Sequence, residues 1–297
     1  MTRRTPGTGP EQTTPGDGDA PAWVRAALRL DVRSATRARW GFRHETWLVA
    51  AGDERLVVQR RADGTDPTLA PRVAIRQVIR DAGLPVPEPV RVTSGPDAVV
   101  VVLPYIDGVV AADLLRGGSG AGVVGRACGT VAARLASIDP GALAAAGLEA
   151  RGSDHDERVD PGVARLPDPI RAPLERYLHE IRPRLTDVPR IVAHGDLAPV
   201  NVLVRDDRVA AVLDFDRVRL AHANYDAAWY AWVVGTHHPG LIGDAWQGFA
   251  DAAGMSGRSV RDVAWLWPLQ LFERVREAQD DVERTRWLEH LGDALRG

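Results

Sequence analysis

The hydrophobic pattern of this chain changes period once, and that change constrains the fold more than any other feature. Ahead of about residue 104 the apolar runs are short. ETWLVAAG (45–52) and ERLVVQRRA (54–62) read as two strands joined around Gly52-Asp53, a turn signal. AWVRAALRLD (22–31) reads as a short amphipathic helix, and LAPRVAIRQVIRDAG supplies a second over about 69–82, closed by Gly83. Three prolines in LPVPEPVRV break regular structure, and DAVVVVLPYIDG is a continuous apolar strand that runs into Pro104 and ends at Asp107-Gly108. Beyond Gly108 the period lengthens. Val123, Val124, Ala127, Val131 and Leu135 line one face of a helix over about 120–138, and Ile170, Leu174, Leu178 and Ile181 line another over about 168–182. RIVAHGD and VNVLVRDDRVAAVLDFD then supply three short strands, with Asp206-Asp207 at a tight turn. Helices over about 224–235, 240–253, 261–278 and 283–296 close the chain. The expected fold class is α+β with two lobes: a small β-rich one over 22–103 and a larger, mainly helical one over 104–297.

The composition narrows the chemistry. All 37 basic residues are arginine, which excludes a Walker A loop and any lysine Schiff base. A cation that touches phosphate here must be an arginine or a metal. The formal net charge of −3 gives no basic field for nucleic acid or an anionic membrane surface. No apolar run reaches the length of a membrane-spanning helix. The first 21 residues, rich in Pro, Gly, Thr and Asp, read as a disordered tail without the apolar core of a secretory signal. The one cysteine, Cys128, sits in a helical pattern and is expected to be a packed, inert thiol. A cytoplasmic location is expected.

HGDLAPVNVLV (194–204) and AVLDFDR (211–217) carry the chemistry. They flank one hairpin, which can bring Asp196, Asn201 and Asp214 together, five and then thirteen residues apart. Phosphoryl transfer needs an acceptor hydroxyl held in line, a carboxylate to orient it, and magnesium to screen the phosphates. Magnesium prefers hard oxygen ligands and takes one or two from protein. An Asn amide oxygen and an Asp carboxylate suit the metal, and a second carboxylate is left for the hydroxyl. A lone HGD is more often a turn, because Asp and Asn bond to nearby backbone. The combination on a strand–loop–strand–turn–strand frame is what points to a site.

HGDLAPVNVLV followed by LDFD resembles the aminoglycoside phosphotransferase and choline kinase-like family, relatives of the protein kinases. His194, Gly195, Asp196, Asn201 and Asp214 match its H-G-D-x-x-x-x-N pattern and the Asp that follows. LPVPEPV, LPYIDG and NYDAAWYAW also match in order and spacing, so the resemblance spans about 22–290. It implies a two-lobed, protein-kinase-like fold. It makes Asp196 the residue that orients or deprotonates the acceptor and Asn201 and Asp214 the magnesium ligands, with His194 and Asp226 bracing the loop. ATP or GTP would be the donor, its base docked on backbone groups of Leu103, Tyr105 and Ile106.

The pattern also departs from the family. With no lysine, VVQRR must supply the cation that meets nucleotide phosphates. Arg60 alternates with Leu56 and Val58 and is the expected contact, with Gln59 and Arg61 as competitors. The helix over 69–82 has no Glu to pair with it, only Asp81 in its last turn, so the pair has no direct counterpart unless an acid elsewhere, such as Glu45, substitutes. The loop RWGFRHETW has one glycine, Gly41, in place of a glycine-rich cradle. Asp216 stands where the family often has glycine, as a supporting acid, a substrate contact or a solvated residue.

Six of the nine tryptophans lie from Trp229 onward. Trp229, Trp232, His237 and Glu273 are the expected acceptor contacts, with His238 and Arg274 beside them, although tryptophans at helical spacing are more often core. Acids for a cationic acceptor could come from DHDE (154–157) and EAQDDVE (277–283). The expected function is a kinase that moves the γ-phosphoryl group to a hydroxyl of an antibiotic. The alternatives are a metabolic kinase of a sugar, nucleoside or amino alcohol, and a catalytically silent nucleotide-binding module. A metallohydrolase built on His194 and Asp196 is weaker still, because no further His is suitably spaced.

Overall fold

The computed structural model describes residues 20–39, 45–61, 69–94, 98–118, 120–148, 162–186 and 188–296, without the side chains of 61, 69–72 and 94. The expected tail up to residue 19, the loop at Gly41, the side chain of Arg61 and the acids of 154–157 lie outside the described residues. The backbone divides into two compact units, Met1–Pro67 with Pro87–Tyr105, and Thr68–Val86 with Ile106–Gly297.

The first unit opens with helix α1 (Ala22–Leu28), followed by strands β1 (Val32–Arg37), β2 (Glu45–Ala51) and β3 (Glu54–Arg61). Strands β4 (Arg91–Ser94) and β5 (Val99–Pro104) complete an antiparallel sheet in the order β1-β2-β3-β5-β4. Glu45 pairs with Arg60 and Val49 with Leu56 across β2 and β3, while Val58 pairs with Val102 across β3 and β5. The core of this unit is Val24 and Leu28 of α1 packed with Val49, Leu56, Val58 and Val102. Arg91 Nη1 donates to the carbonyls of Ala27 at 2.6 Å and Leu28 at 2.8 Å, which satisfies orphan acceptors at the end of α1. The sequence pattern did not show β1. Its only buried residue is Ala35, and its Arg, Ser and Thr suit an edge strand.

The second unit takes helix α2 (Leu69–Asp81) and then everything after Tyr105: β6 (Val109–Val110), α3 (Ala111–Arg116), α4 (Ala121–Ala136), α5 (Pro140–Ala145) and α6 (Asp168–Thr186). Next come β7 (Ile191–Ala193), β8 (Val202–Arg205), β9 (Arg208–Val212) and β10 (Arg219–Ala221). Helices α7 (Tyr225–His237), α8 (Ile242–Ala252), α9 (Arg261–Ala264), α10 (Trp267–Glu277) and α11 (Asp281–Ala294) end the chain. The helix expected over 261–278 is two, because Pro268 stands at the start of α10, where its missing N–H costs nothing. Ile75 and Ile79 of α2 enter one core with Val124, Val131 and Leu135 of α4 and Tyr230 and Val234 of α7. Helices α4 and α8 approach so closely that a Cβ on Gly125 would lie 2.1 Å from the carbonyl oxygen of Ala245. Cys128, on the same helix, is fully buried, and that burial pushes its thiol well above the ordinary range. Among the described residues, no helix is long and apolar enough to cross a membrane.

The β8–β9 hairpin turns at Asp206 and Asp207, whose φ angles of 51° and 58° are the left-handed pair of a type I′ turn. This hairpin, and the pairing of β7 with β10 that sets Ala193 opposite Arg219, form the frame on which the motif residues sit.

Candidate active site

The chain leaves β7 at Ala193, runs through residues 194–198, makes one tight turn at Pro199–Asn201 and enters β8. Gly195 takes φ 79°, and a Cβ there would lie 2.0 Å from the carbonyl oxygen of Arg217, so only glycine fits. His194 is fully buried. Its Nδ1 accepts the Asp196 amide at 3.3 Å, and its Nε2 lies 2.9 Å from the carbonyl of Leu213. With Nδ1 accepting, the tautomer that carries the proton on Nε2 donates to Leu213. Phe215 packs on it with ring centroids 4.9 Å apart. The loop is pinned again by Asp226 in the first turn of α7, whose carboxylate accepts the amides of His194 at 2.7 Å and Gly195 at 3.0 Å. Burial pushes the Asp226 carboxyl above its ordinary range, with the two amides opposing. These contacts give His194 and Asp226 the geometry of braces.

Asn201 Nδ2 donates to the carbonyl of Asp196 at 2.9 Å, which orients the amide and turns its oxygen the other way. The Asn201 carbonyl in turn accepts the Leu213 amide at 2.8 Å and so sets the strand that delivers Asp214. Asp214 takes φ 56°, a left-handed conformation uncommon outside glycine, and its Oδ1 accepts the Asp216 amide at 3.3 Å. Asp216 itself is nearly buried and faces Arg76 of α2, with Nη2 to Oδ1 at 4.0 Å. An arginine on α2 and an acid after Asp-Phe thus meet where the sequence offers neither the helix Glu nor the glycine. The sequence pointed to Asp216 but not to Arg76, because helical period does not say which residue of another element a side chain meets.

Asp196 is bounded by three side chains that the motif does not contain. Trp229 Nε1 donates to its Oδ1 at 2.8 Å, and Arg274 Nη2 donates to the same oxygen at 2.8 Å. Arg217 Nε stands 3.9 Å from Oδ2. Burial raises the Asp196 carboxyl, but Arg274 and then Arg217 outweigh it, and the group is held below its ordinary range and remains charged at neutral pH. Behind these residues lies a buried network. Glu273 accepts from Arg219 Nη1 at 2.8 Å and from the Tyr225 hydroxyl, while Glu277 pairs with Arg217.

The other expected site residues fall as follows. Trp229 reaches Asp196, and Trp232 stacks behind it with centroids 5.1 Å apart. Both indoles are buried, packed with Leu174, Leu271 and Phe272. His237 is edge-on to Trp232 at 6.4 Å and has no contact with Asp196 among the described hydrogen bonds and ion pairs. Glu273, expected to face an acceptor, has its carboxylate turned instead into the ion pair with Arg219. Arg60, expected at the nucleotide phosphates, shares the face of β3 with Leu56 and Val58, the face that α1 covers, and its guanidinium lies 5.8 Å from the ring of Trp23. The alternation that selected Arg60 also placed it at the exposed end of that face, beside Trp23 of α1. Leu103 lies opposite Val57 in the sheet, and the Tyr105 amide donates to the Arg55 carbonyl at 3.0 Å, with the Arg55 guanidinium 4.4 Å from its ring. Ile106 begins the second unit.

A braced loop with Asp196 and Asn201, joined through Leu213 to Asp214, makes an arrangement of two carboxylates and one amide oxygen. A model of the phosphotransferase enzyme family matches residues 34–260, well over half of the chain. The chain belongs to this family. As a member of the phosphotransferase enzyme family it has the protein-kinase-like fold and is a phosphotransferase with an alcohol group as acceptor. Among solved structures it is similar to a macrolide 2′-phosphotransferase from Brachybacterium faecium, at 20% identity over 90% of this chain and 96% of that one, with TM-score 0.59. It is also similar to a spectinomycin phosphotransferase in complex with ADP and spectinomycin, at 11% identity over 91% and 92%, with TM-score 0.62. A third is an aminoglycoside phosphotransferase in complex with AMP-PNP and hygromycin B, at 16% identity over 92% and 97%, with TM-score 0.60. At these identities the likeness is one of fold. By sequence, no curated protein matches the chain.

Proposed function

We propose that this phosphotransferase moves the γ-phosphoryl group of ATP or GTP to a hydroxyl of an antibiotic, and that resistance is the consequence. The observation that carries the reading is the single hydrogen-bonded frame that joins Asp196, Asn201 and Asp214. Solved relatives in fold that hold ADP or AMP-PNP together with spectinomycin or hygromycin B support a nucleotide donor and an antibiotic acceptor.

Asp196 orients the acceptor hydroxyl and takes its proton as the new O–P bond forms and the bond from the γ-phosphorus to the bridging oxygen breaks, releasing the nucleoside diphosphate. Its charge at neutral pH suits that role. Asn201 and Asp214 fit magnesium: the Asn201 amide is oriented by its own donor, which leaves an oxygen to give, and the Asp214 carboxylate is turned by the Asp216 amide. When bound, the ion would screen the phosphate charge. Backbone groups from Leu103 to Ile106 hold the base. The Tyr105 amide is already given to Arg55, so the carbonyls and the remaining amides carry that contact.

The test is magnesium-dependent nucleotide consumption against a panel of macrolides, aminoglycosides, spectinomycin, sugars and nucleosides, comparing wild type with Asp196→Ala. Transfer to an antibiotic that the variant loses supports the reading. Full transfer by Asp196→Ala would overturn the role given to Asp196, and turnover of a sugar or nucleoside alone would make the enzyme a metabolic kinase. The place of Arg60 beside Trp23 of α1 favours one second reading, a silent nucleotide-binding module. Nucleotide binding with no consumption against any acceptor would establish it.

A further inference from the structure

Two donors from separate helices meet on one oxygen of Asp196. Trp229 of α7 and Arg274 of α10 both reach Oδ1 at 2.8 Å, and the guanidinium lies 4.1 Å from the Trp229 ring centroid. Each donor therefore holds the other in place, through a cation–π contact as well as through the shared acceptor. Arg274 is only 7% exposed, and Nη2 also lies 3.4 Å from the carbonyl of Gly195. A guanidinium at that depth needs a countercharge, and Asp196 provides it. The next residue back, Glu273, is fixed by Arg219 and Tyr225, so α10 cannot turn without breaking a second buried ion pair.

A solvated aspartate swivels about its terminal torsion and offers either oxygen. Here one oxygen is committed. Oδ2 differs: Arg217 Nε, at 3.9 Å, is beyond hydrogen-bond distance.

Resting on the reading of Asp196 as the group that meets the acceptor, we infer that Arg274 is a positioning residue which, with Trp229, clamps Oδ1 so that Oδ2 receives the acceptor hydroxyl. Lysine cannot substitute. It is a point charge without the planar face that stacks on the indole. The clamp acts on orientation, and a misplacement of about 1 Å costs about 100-fold in rate.

The experiment compares wild type with Arg274→Ala, Arg274→Lys and Trp229→Phe. For Arg274→Ala, kcat falls about 100-fold while the nucleotide KM stays unchanged, and millimolar guanidinium restores part of the rate. Arg274→Lys stays low. Trp229→Phe keeps the ring, drops the donor and gives an intermediate kcat. Wild-type kcat in Arg274→Ala overturns the proposal, as does a loss that guanidinium does not restore and that follows the melting temperature. Should Arg274→Ala not fold, Trp229→Phe decides: wild-type kcat there overturns the clamp. Crystal structures of the substrate-free proteins read the same point without any acceptor. Asp196 holds one side-chain rotamer in wild type and more than one in Trp229→Phe. An unchanged rotamer overturns the clamp whether or not the wild type transfers phosphate, whereas a wild type inactive on every acceptor with the rotamer released overturns only the parent reading.

Discussion

The carboxylate of Asp226 accepts the backbone amide of His194 at 2.7 Å, across 32 residues of sequence. Together with the Gly195 amide, this bond ties the first turn of α7 to the loop that carries Asp196. Asp226→Asn keeps the shape but leaves one buried amide facing an NH₂ group. The expected cost is about 1–3 kcal/mol, read as a lower urea midpoint, with a fall in kcat. An unchanged midpoint and kcat would show that the brace is idle.

Gly195 stands at φ 79° with the Arg217 carbonyl 2.0 Å from where a Cβ would be. Gly195→Ala must pay the left-handed strain, about 1–2 kcal/mol, and shift the loop as well. The prediction is a folded protein that binds nucleotide with a kcat about 100-fold lower. Calorimetry with a non-hydrolysable nucleotide and a steady-state assay check it; retained kcat would mean that the loop yields freely.

His222 Nδ1 accepts the Asn224 amide at 3.0 Å, and its ring stands edge-on to Trp265 at 5.1 Å. Burial first, then Arg258, holds its pKa below the ordinary 6.5. The unfolded chain therefore takes up this proton before the folded one does. The stability it contributes is complete above pH 6.5 and is lost as pH falls through the lower folded value. His222→Gln should reduce the drop in melting temperature between about pH 7 and pH 5. Equal drops in both proteins would refute the assignment.

Arg60→Ala tests the departure at β3. With its guanidinium over Trp23 on the α1 face, the variant should lose about 0.5–1 kcal/mol of stability and keep its nucleotide KM. A sharply raised KM would return Arg60 to the phosphates.

Much of the fold was legible because the elements that matter are strongly periodic. The α4 face at Val124, Val131 and Leu135 and the strand into Pro104 lie where the pattern put them. β1 was missed because an edge strand with one buried residue has no alternation to read. The single helix expected over 261–278 overlooked that Pro268 begins a helix more readily than it continues one.

The sequence alone determined the relation of Asp196, Asn201 and Asp214. Their spacing is short, the hairpin between them is local, and its turn residues set the register. It also determined that any protein cation near phosphate is an arginine. The tertiary structure alone decided which one meets Asp196. Arg274 lies 78 residues away, and it arrives there because α10 packs its apolar side with Trp229 and Trp232 while its guanidinium finds an indole face and a buried carboxylate. The same kind of decision placed Arg60 beside Trp23, turned Glu273 onto Arg219 and set Arg76 against Asp216. Alternation and helical period say which residues share a face; only the packed partner says what that face meets.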